Sequence, residues 1–130
     1  MTGKKEVIGG PLIINGRTLS LSRAIRAGDM VYLTGQVPLK DGAPMTDGSI
    51  EDQTRVVIEM IRDTLELAGC ELSDVVKAMV WLRDRADFPG FNEVYAEYFP
   101  SEPPARSAVI SELLVDVRIE IEVVAYSPQG

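Results

Sequence analysis

Residues 50–68 carry a single apolar stripe, and that stripe constrains everything the chain can build around it. Ile50, Val57, Ile58, Ile61 and Leu65 recur at helical spacing, while Glu51, Arg55, Glu59, Arg62 and Glu66 fill the remaining surface. Ser49 with Asp52 three residues on makes a capping box at the start, and Gly69 supplies a left-handed stop. A helix apolar on one side only must lay that side across another layer, and the flanking segments alternate as strands. Residues 74–83 put Val76, Ala78, Val80 and Leu82 on one face and Lys77, Met79, Trp81 and Arg83 on the other. Residues 117–126 oppose Ile119, Ile121, Val123 and Ala125 to Arg118, Glu120, Glu122, Val124 and Tyr126.

The other elements follow from local chemistry. Residues 30–34 are rich in β-formers and close at Gly35; residues 19–26 read as a partner strand, joined to them by a hairpin at Ala27-Gly28-Asp29. Residues 1–17 read as a loose lead-in with turns at Gly9-Gly10-Pro11 and Asn15-Gly16, holding at most a short strand at 12–14. Residues 40–48 read as a surface loop. Pro89 starts a second, shorter helix whose stripe is Phe91, Val94, Tyr95, Tyr98 and Phe99, and Pro100 ends it. The strands at 105–110 and 117–126 are expected to be antiparallel neighbours joined through 111–116. No internal repeat or low-complexity segment interrupts the series. The expected fold is α+β: one domain over residues 1–130, a single sheet of five to six strands, and two helices packed on one face.

A sheet face without helices that carries Met79, Trp81 and Val124 would leave apolar surface in water, so a homo-oligomer is expected, with any site at the subunit boundary. The chain contains no histidine, which removes Ser-His-Asp and Cys-His nucleophiles, histidine metal cages and histidine acid/base pairs. The net charge of −7 argues against a polyanion such as nucleic acid, whose binding draws on clustered Lys and Arg. Cys70 is the lone cysteine, so no internal disulfide or zinc site is expected, and no metal or cofactor is called for. No signal peptide is read at the N-terminus and no apolar run approaches the roughly 20 residues of a membrane helix. A cytoplasmic protein is the expectation.

Two groups stand out chemically. Arg106 follows Pro103-Pro104, which stiffen the approach to a strand; an arginine near a subunit cleft suits bidentate capture of a carboxylate. Taken alone it reads as a surface arginine at a strand end. Glu120 and Glu122 share the face turned away from the helices, where one carboxylate could activate a water. Taken alone they read as a solvated face, or as partners of Arg118 or Lys77. Thr34-Gly35 closes a strand where backbone N–H groups can meet a ligand, or is only a bend. The aromatic stripe of 91–99 reads as core. Gly28, Gly35 and Gly42 have no phosphate-binding spacing.

Together, Arg26-Ala27-Gly28-Asp29 leading to Thr34-Gly35-Gln36-Val37-Pro38, Phe91-Asn92-Glu93-Val94-Tyr95 with Phe99-Pro100, and Pro104-Ala105-Arg106-Ser107 with Ile119-Glu120-Ile121-Glu122 resemble the Rid (YjgF-like) family of reactive-intermediate imine/enamine deaminases, also described as endoribonuclease L-PSP-like. The resemblance implies a chorismate-mutase-like fold, a homotrimer with three inter-subunit clefts, and cofactor-free hydrolysis of 2-imino and 2-enamino acids to 2-ketoacids and ammonia. It implies that Arg106 clamps the substrate carboxylate and that Glu120 positions the attacking water. Thr34, Gly35 and Asn92 would line the pocket. Ala108 stands where many members have cysteine, and Leu21 at the approximate place of a substrate-facing tyrosine, which implies a larger pocket and a bulkier or aminomuconate-like substrate. The alternatives are ribonuclease activity, disfavoured by the acidic balance, and binding of small carboxylates without turnover.

Overall fold

The computed structural model describes residues 4–128. In chain order the elements are β1 (Glu6–Ile14), β2 (Arg17–Ala27), β3 (Met30–Leu33), β4 (Leu39–Lys40), β5 (Ala43–Pro44), α1 (Ile50–Leu67), β6 (Val75–Leu82), α2 (Phe88–Tyr98), β7 (Ala105–Ile110) and β8 (Ile119–Tyr126). Six of the strands form one sheet in the order β1-β2-β3-β8-β6-β7, and both helices cover one face of it. Among the described residues no helix is long and apolar enough to cross a membrane.

α1 forms as its stripe requires. The Ser49 hydroxyl accepts from the Asp52 N–H at 3.0 Å. At the other end Gly69, at φ +76°, donates to the Glu66 carbonyl, and Cys70 N–H returns to that of Leu65. Val57, Ile58, Ile61 and Leu65 are fully buried against the sheet residues Val80, Ile121 and Val123. Each such side chain contributes roughly 1.5–3 kcal/mol of hydrophobic stabilisation, which makes this interface the centre of the fold.

The structure corrects the expected pairing of residues 105–110 with 117–126. β7 pairs instead with β6, in parallel, and β8 lies between β3 and β6, antiparallel to both. The reason is burial. β8 hides Ile119, Ile121, Val123 and Ala125 completely and suits the centre of the sheet, whereas β7 exposes nearly every residue and suits an edge. The parallel pair is reached through α2, as a crossover must be.

Three local readings also change. A register shift between Val75 and Lys77 turns Val75 into the core (4% exposed) and leaves Val76 out of it (44%). The lead-in is a nine-residue strand; Gly9 and Gly10, at φ +79° and +70°, form a bulge within β1 rather than a turn before it. The loop at 40–48 contains the β4–β5 hairpin, turned at Asp41-Gly42, both with positive φ. The hairpin at Gly28-Asp29 and the turn at Asn15-Gly16 stand as read.

Two buried polar side chains fix the ends of β8. Gln53 of α1 accepts the Arg118 N–H at 2.8 Å and donates to the Met45 and Asp47 carbonyls at 2.9 and 3.0 Å. Arg26 of β2 donates to the Ser127 carbonyl at 2.9 Å and to the Ala68 carbonyl at 2.8 Å. Replacing Gln53 by the similarly sized leucine strands three backbone groups at once. Gln53→Leu is expected to destabilise the protein by about 2–4 kcal/mol, read as a lower urea midpoint at fixed protein concentration. An unchanged midpoint would show that water replaces all three bonds.

Candidate active site

β3 leaves β8 after Leu33 and touches it again at Gln36, whose backbone exchanges hydrogen bonds with Ile121 at 2.8 and 3.0 Å. Tyr32 pairs with Val124 and Gln36 with Ile121, so this side advances one residue more than β8 and bulges. Thr34 and Gly35 form the bulge. The Thr34 N–H is spent on the Arg23 carbonyl at 3.0 Å. Among the described residues the Gly35 N–H has no acceptor, so of the two only Gly35 can offer a backbone donor to a ligand.

Glu120 lies directly beside this bulge. A Cβ added at Gly35 would collide with the Glu120 carboxylate, so glycine is what lets backbone and carboxylate approach so closely. Glu120 is half-buried, and among the described residues its side chain has neither a hydrogen bond nor an ion pair. Arg118 is engaged with Asp87 at 3.2 Å and the Lys77 ammonium with the Ser107 hydroxyl at 3.2 Å, and among the described residues neither forms an ion pair with Glu120 or Glu122. Burial first, and the neighbouring Glu122 charge second, push the Glu120 carboxyl above its ordinary pKa. Gly35, Glu120 and Leu21 together line one small, mostly apolar pocket. Thr34 lines an adjacent open groove on the helix-free face of β1 and β2, where Leu21 also reaches.

Arg106 belongs to a different neighbourhood. It pairs in register with the buried Ala78 and so projects to the helix side of the β7 edge. Its guanidinium lies over three rings of α2, with Cζ 4.8 Å from the centroid of Tyr95, 5.2 Å from Phe91 and 5.9 Å from Phe88. Among the described residues it makes no hydrogen bond and no ion pair, so its N–H edges remain available. Asn92 lines the same groove, with Pro103 and Pro104 on the opposite wall. Ala108, two residues along β7, lines the adjoining groove with Phe88 and Pro89. Among the described residues the buried Tyr95 hydroxyl has no partner, and burial raises its pKa against the opposing effect of Arg106.

Within one chain, then, the expected residues form two groups. Arg106, Asn92 and Ala108 gather on the β7–α2 edge; Glu120, Gly35 and Leu21 gather at the β3–β8 bulge, with Thr34 close by. Glu120 projects from the face opposite that of Arg106, and the structure of a single chain does not bring them together. Sequence reading missed Phe88, Phe91 and Tyr95 as the bed of the arginine. The spacing of Phe91 and Tyr95 announced core, and both are core, while Phe88 stays exposed at the start of α2; nothing local in the sequence says that Arg106 returns across all three.

A family profile described as Endoribonuclease L-PSP matches residues 17–127. A RutC family protein of Pyrococcus horikoshii is 51% identical over 108 residues, covering 81% of this chain and 85% of that one. The 3-aminoacrylate deaminase RutC of Acinetobacter baylyi is 43% identical over 105 residues, covering 79% and 83%. The crystal structure of yeast Mmf1 superposes with a TM-score of 0.86 at 32% identity, covering 95% of this chain and 99% of that one. With the order of the sheet, the two helices on one face and these matches in agreement, the chain belongs to the YjgF/Rid family, the endoribonuclease L-PSP family of the matched profile.

Proposed function

We propose that this protein hydrolyses reactive 2-imino acids and their enamine tautomers to 2-ketoacids and ammonia, without a cofactor, in clefts between copies of the chain. The observation that carries the reading is Arg106. A guanidinium laid on three aromatic faces, without a protein anion to neutralise it, is set to receive a small carboxylate in the bidentate manner. The deaminase name of one close relative supports the same chemistry.

The mechanism assigns each group one task. Arg106, with Asn92 beside it, clamps the carboxylate and so fixes C2. Glu120 takes a proton from water as the water oxygen bonds to C2 and the C=N electrons move to nitrogen. That proton passes to the nitrogen, giving the neutral carbinolamine; Glu120 then carries the hydroxyl proton to the same nitrogen as C=O forms and the C–N bond breaks, and ammonia leaves. The Gly35 N–H lies where it can hold the substrate nitrogen or oxygen. Imines hydrolyse readily in water, so orientation plus one general base, worth roughly 10²–10⁴-fold, suffices.

The two groups of residues meet only if the β7–α2 edge of one copy faces the β3–β8 bulge of another. β7 is an open edge, and Tyr32, Val109 and Tyr126 leave apolar surface on the helix-free side, both features that association would cover. A closed homotrimer, with three equivalent clefts, is the arrangement proposed.

Arg106→Ala is expected to lower kcat/KM by about 10²-fold or more, and Arg106→Lys to restore only part, because a point charge lacks the planar fork. Steady-state rates above the spontaneous hydrolysis read both. Coexpressing Arg106→Ala with Glu120→Gln should regenerate active clefts, about one quarter of them by random mixing, because each cleft draws the two groups from different copies. Inactive mixed oligomers would place both groups of a cleft in one chain.

The working form of Glu120 is the carboxylate. Its raised pKa means that activity, full at higher pH, is lost as pH falls through a pKa higher than that of an ordinary glutamate. Glu122→Gln removes a like charge and should move that acid limb to lower pH, while Glu120→Gln should cost roughly 10²–10⁴-fold at every pH. A pH–rate profile that ignores Glu122→Gln would remove Glu122 from the account.

A further inference from the structure

We infer that the pocket beside Glu120 receives the substrate's side chain, and that this protein prefers 2-imino acids with a branched or long apolar side chain over 2-iminopropanoate. The inference rests on the proposed deamination and adds its specificity. The pocket has a volume of about 220 Å³, and Gly35 and Glu120 are part of its wall. A group attached to the carbon that Glu120 hydrates therefore starts beside that wall. Ile14 and Leu21 of the first two strands, Val37 of the segment after β3, Met60 of α1, and Leu114 and Val115 of the β7–β8 connection line it.

Its chemistry selects the occupant. Besides Glu120 the only polar side chain in the lining is Gln36, and no lysine or arginine is among its residues. An anionic side chain would meet the Glu120–Glu122 pair with no cation to offset it. A methyl group would leave most of the space unfilled. Four carbons occupy roughly 100 Å³ at the density of packed interiors, so an isobutyl or thioether chain fits with room left, and a benzyl group fits more tightly. Leu114 is fully exposed (102%) on the connection between β7 and β8, at the rim of this pocket, where an apolar side chain would cover part of it. Leu21 sets the width: a larger ring at that position would fill the space from the β2 side.

The test uses imino acids made in situ from leucine, phenylalanine, alanine and glutamate by matching amino-acid oxidases, with wild-type full-length protein. Each extra buried carbon should tell, and the leucine-derived substrate should exceed the alanine-derived one by about 10–100-fold in kcat/KM, with the glutamate-derived one poorest. Leu21→Tyr should lower the leucine-to-alanine ratio at least about tenfold. Should that variant fail to fold, Leu114→Ala, on an exposed connection, should lower the ratio about three- to fivefold by removing rim surface. Equal wild-type rates for the leucine- and alanine-derived substrates, or a ratio unmoved by a folded Leu21→Tyr, would overturn the side-chain pocket and leave deamination standing. No acceleration of any imino acid would overturn the deamination reading and this inference with it.

Discussion

The path of β8 is held by two side chains that the hydrophobic pattern alone would not have put in the interior. Gln53 fastens the residue before the strand to α1 and to the 45–47 segment; Arg26 fastens the residue after it to the end of the same helix. A strand has period 2, so sliding β8 by one residue would bring Glu120 and Glu122 under α1 and throw Ile119, Ile121 and Val123 out. The core resists that slip, and the two anchored ends resist the partial slips and frays that a core tolerates. The Gln36–Ile121 bridge then sets the position of the bulge opposite Glu120. A carboxylate within touching distance of a glycine backbone is thus a product of register, fixed from both ends.

Arg106 is governed by a different rule. An arginine on the helix side of an edge strand would ordinarily find a carboxylate or reach solvent. Here Asp87, just before α2, and Glu97, near its end, are engaged elsewhere, with Arg118 and Arg55. Phe88, Phe91 and Tyr95 take the apolar faces of the guanidinium plane instead, an arrangement that suits arginine and would not suit lysine. The plane is oriented while its hydrogen-bonding edges remain unspent. That explains how a chain can keep an arginine ordered and still leave it able to bind an anion.

Much of this was legible in the sequence because it is local. The cap at Ser49, the stop at Gly69 and the faces of 117–126 depend on residues a few positions apart, and all three stand in the structure. The family and its fold were legible in the Arg106 and Glu120 motifs. What could not be read is what depends on distant partners. Residues 105–110 and 117–126 are short and adjacent in sequence, which favours a hairpin, but α2 carries the chain over β6 to the far edge and β8 is needed at the centre. Gly9-Gly10 breaks the alternation, so only the short strand at 12–14 was legible, and the rest of β1 needs β2 to pair across the bulge. The shift at Val75 likewise needs β8 as its template. The bed beneath Arg106 was hidden for the same reason: Phe91 and Tyr95 announced burial, Phe88 lay outside the stripe, and only the return of β7 sets the three rings under one guanidinium.

The absence of histidine shapes the proposed chemistry more than any group that is present. A carboxylate in water is a weak base, and an enzyme without imidazole must strengthen one by its surroundings. Half-burial does so for Glu120, and Glu122, held on the same face two residues along, adds to it. Both effects act in the same direction, whereas a cation at the same spot would have undone them. Arg118 and Lys77, the two cations that sequence alone offered as partners, are drawn away to Asp87 and Ser107. The guanidinium that the proposed reaction needs lies on the opposite face of its own sheet. In the proposed cleft it would come from a second copy of the chain, and the substrate's own carboxylate would answer its charge, so that the Glu120–Glu122 pair would keep its effect on the base.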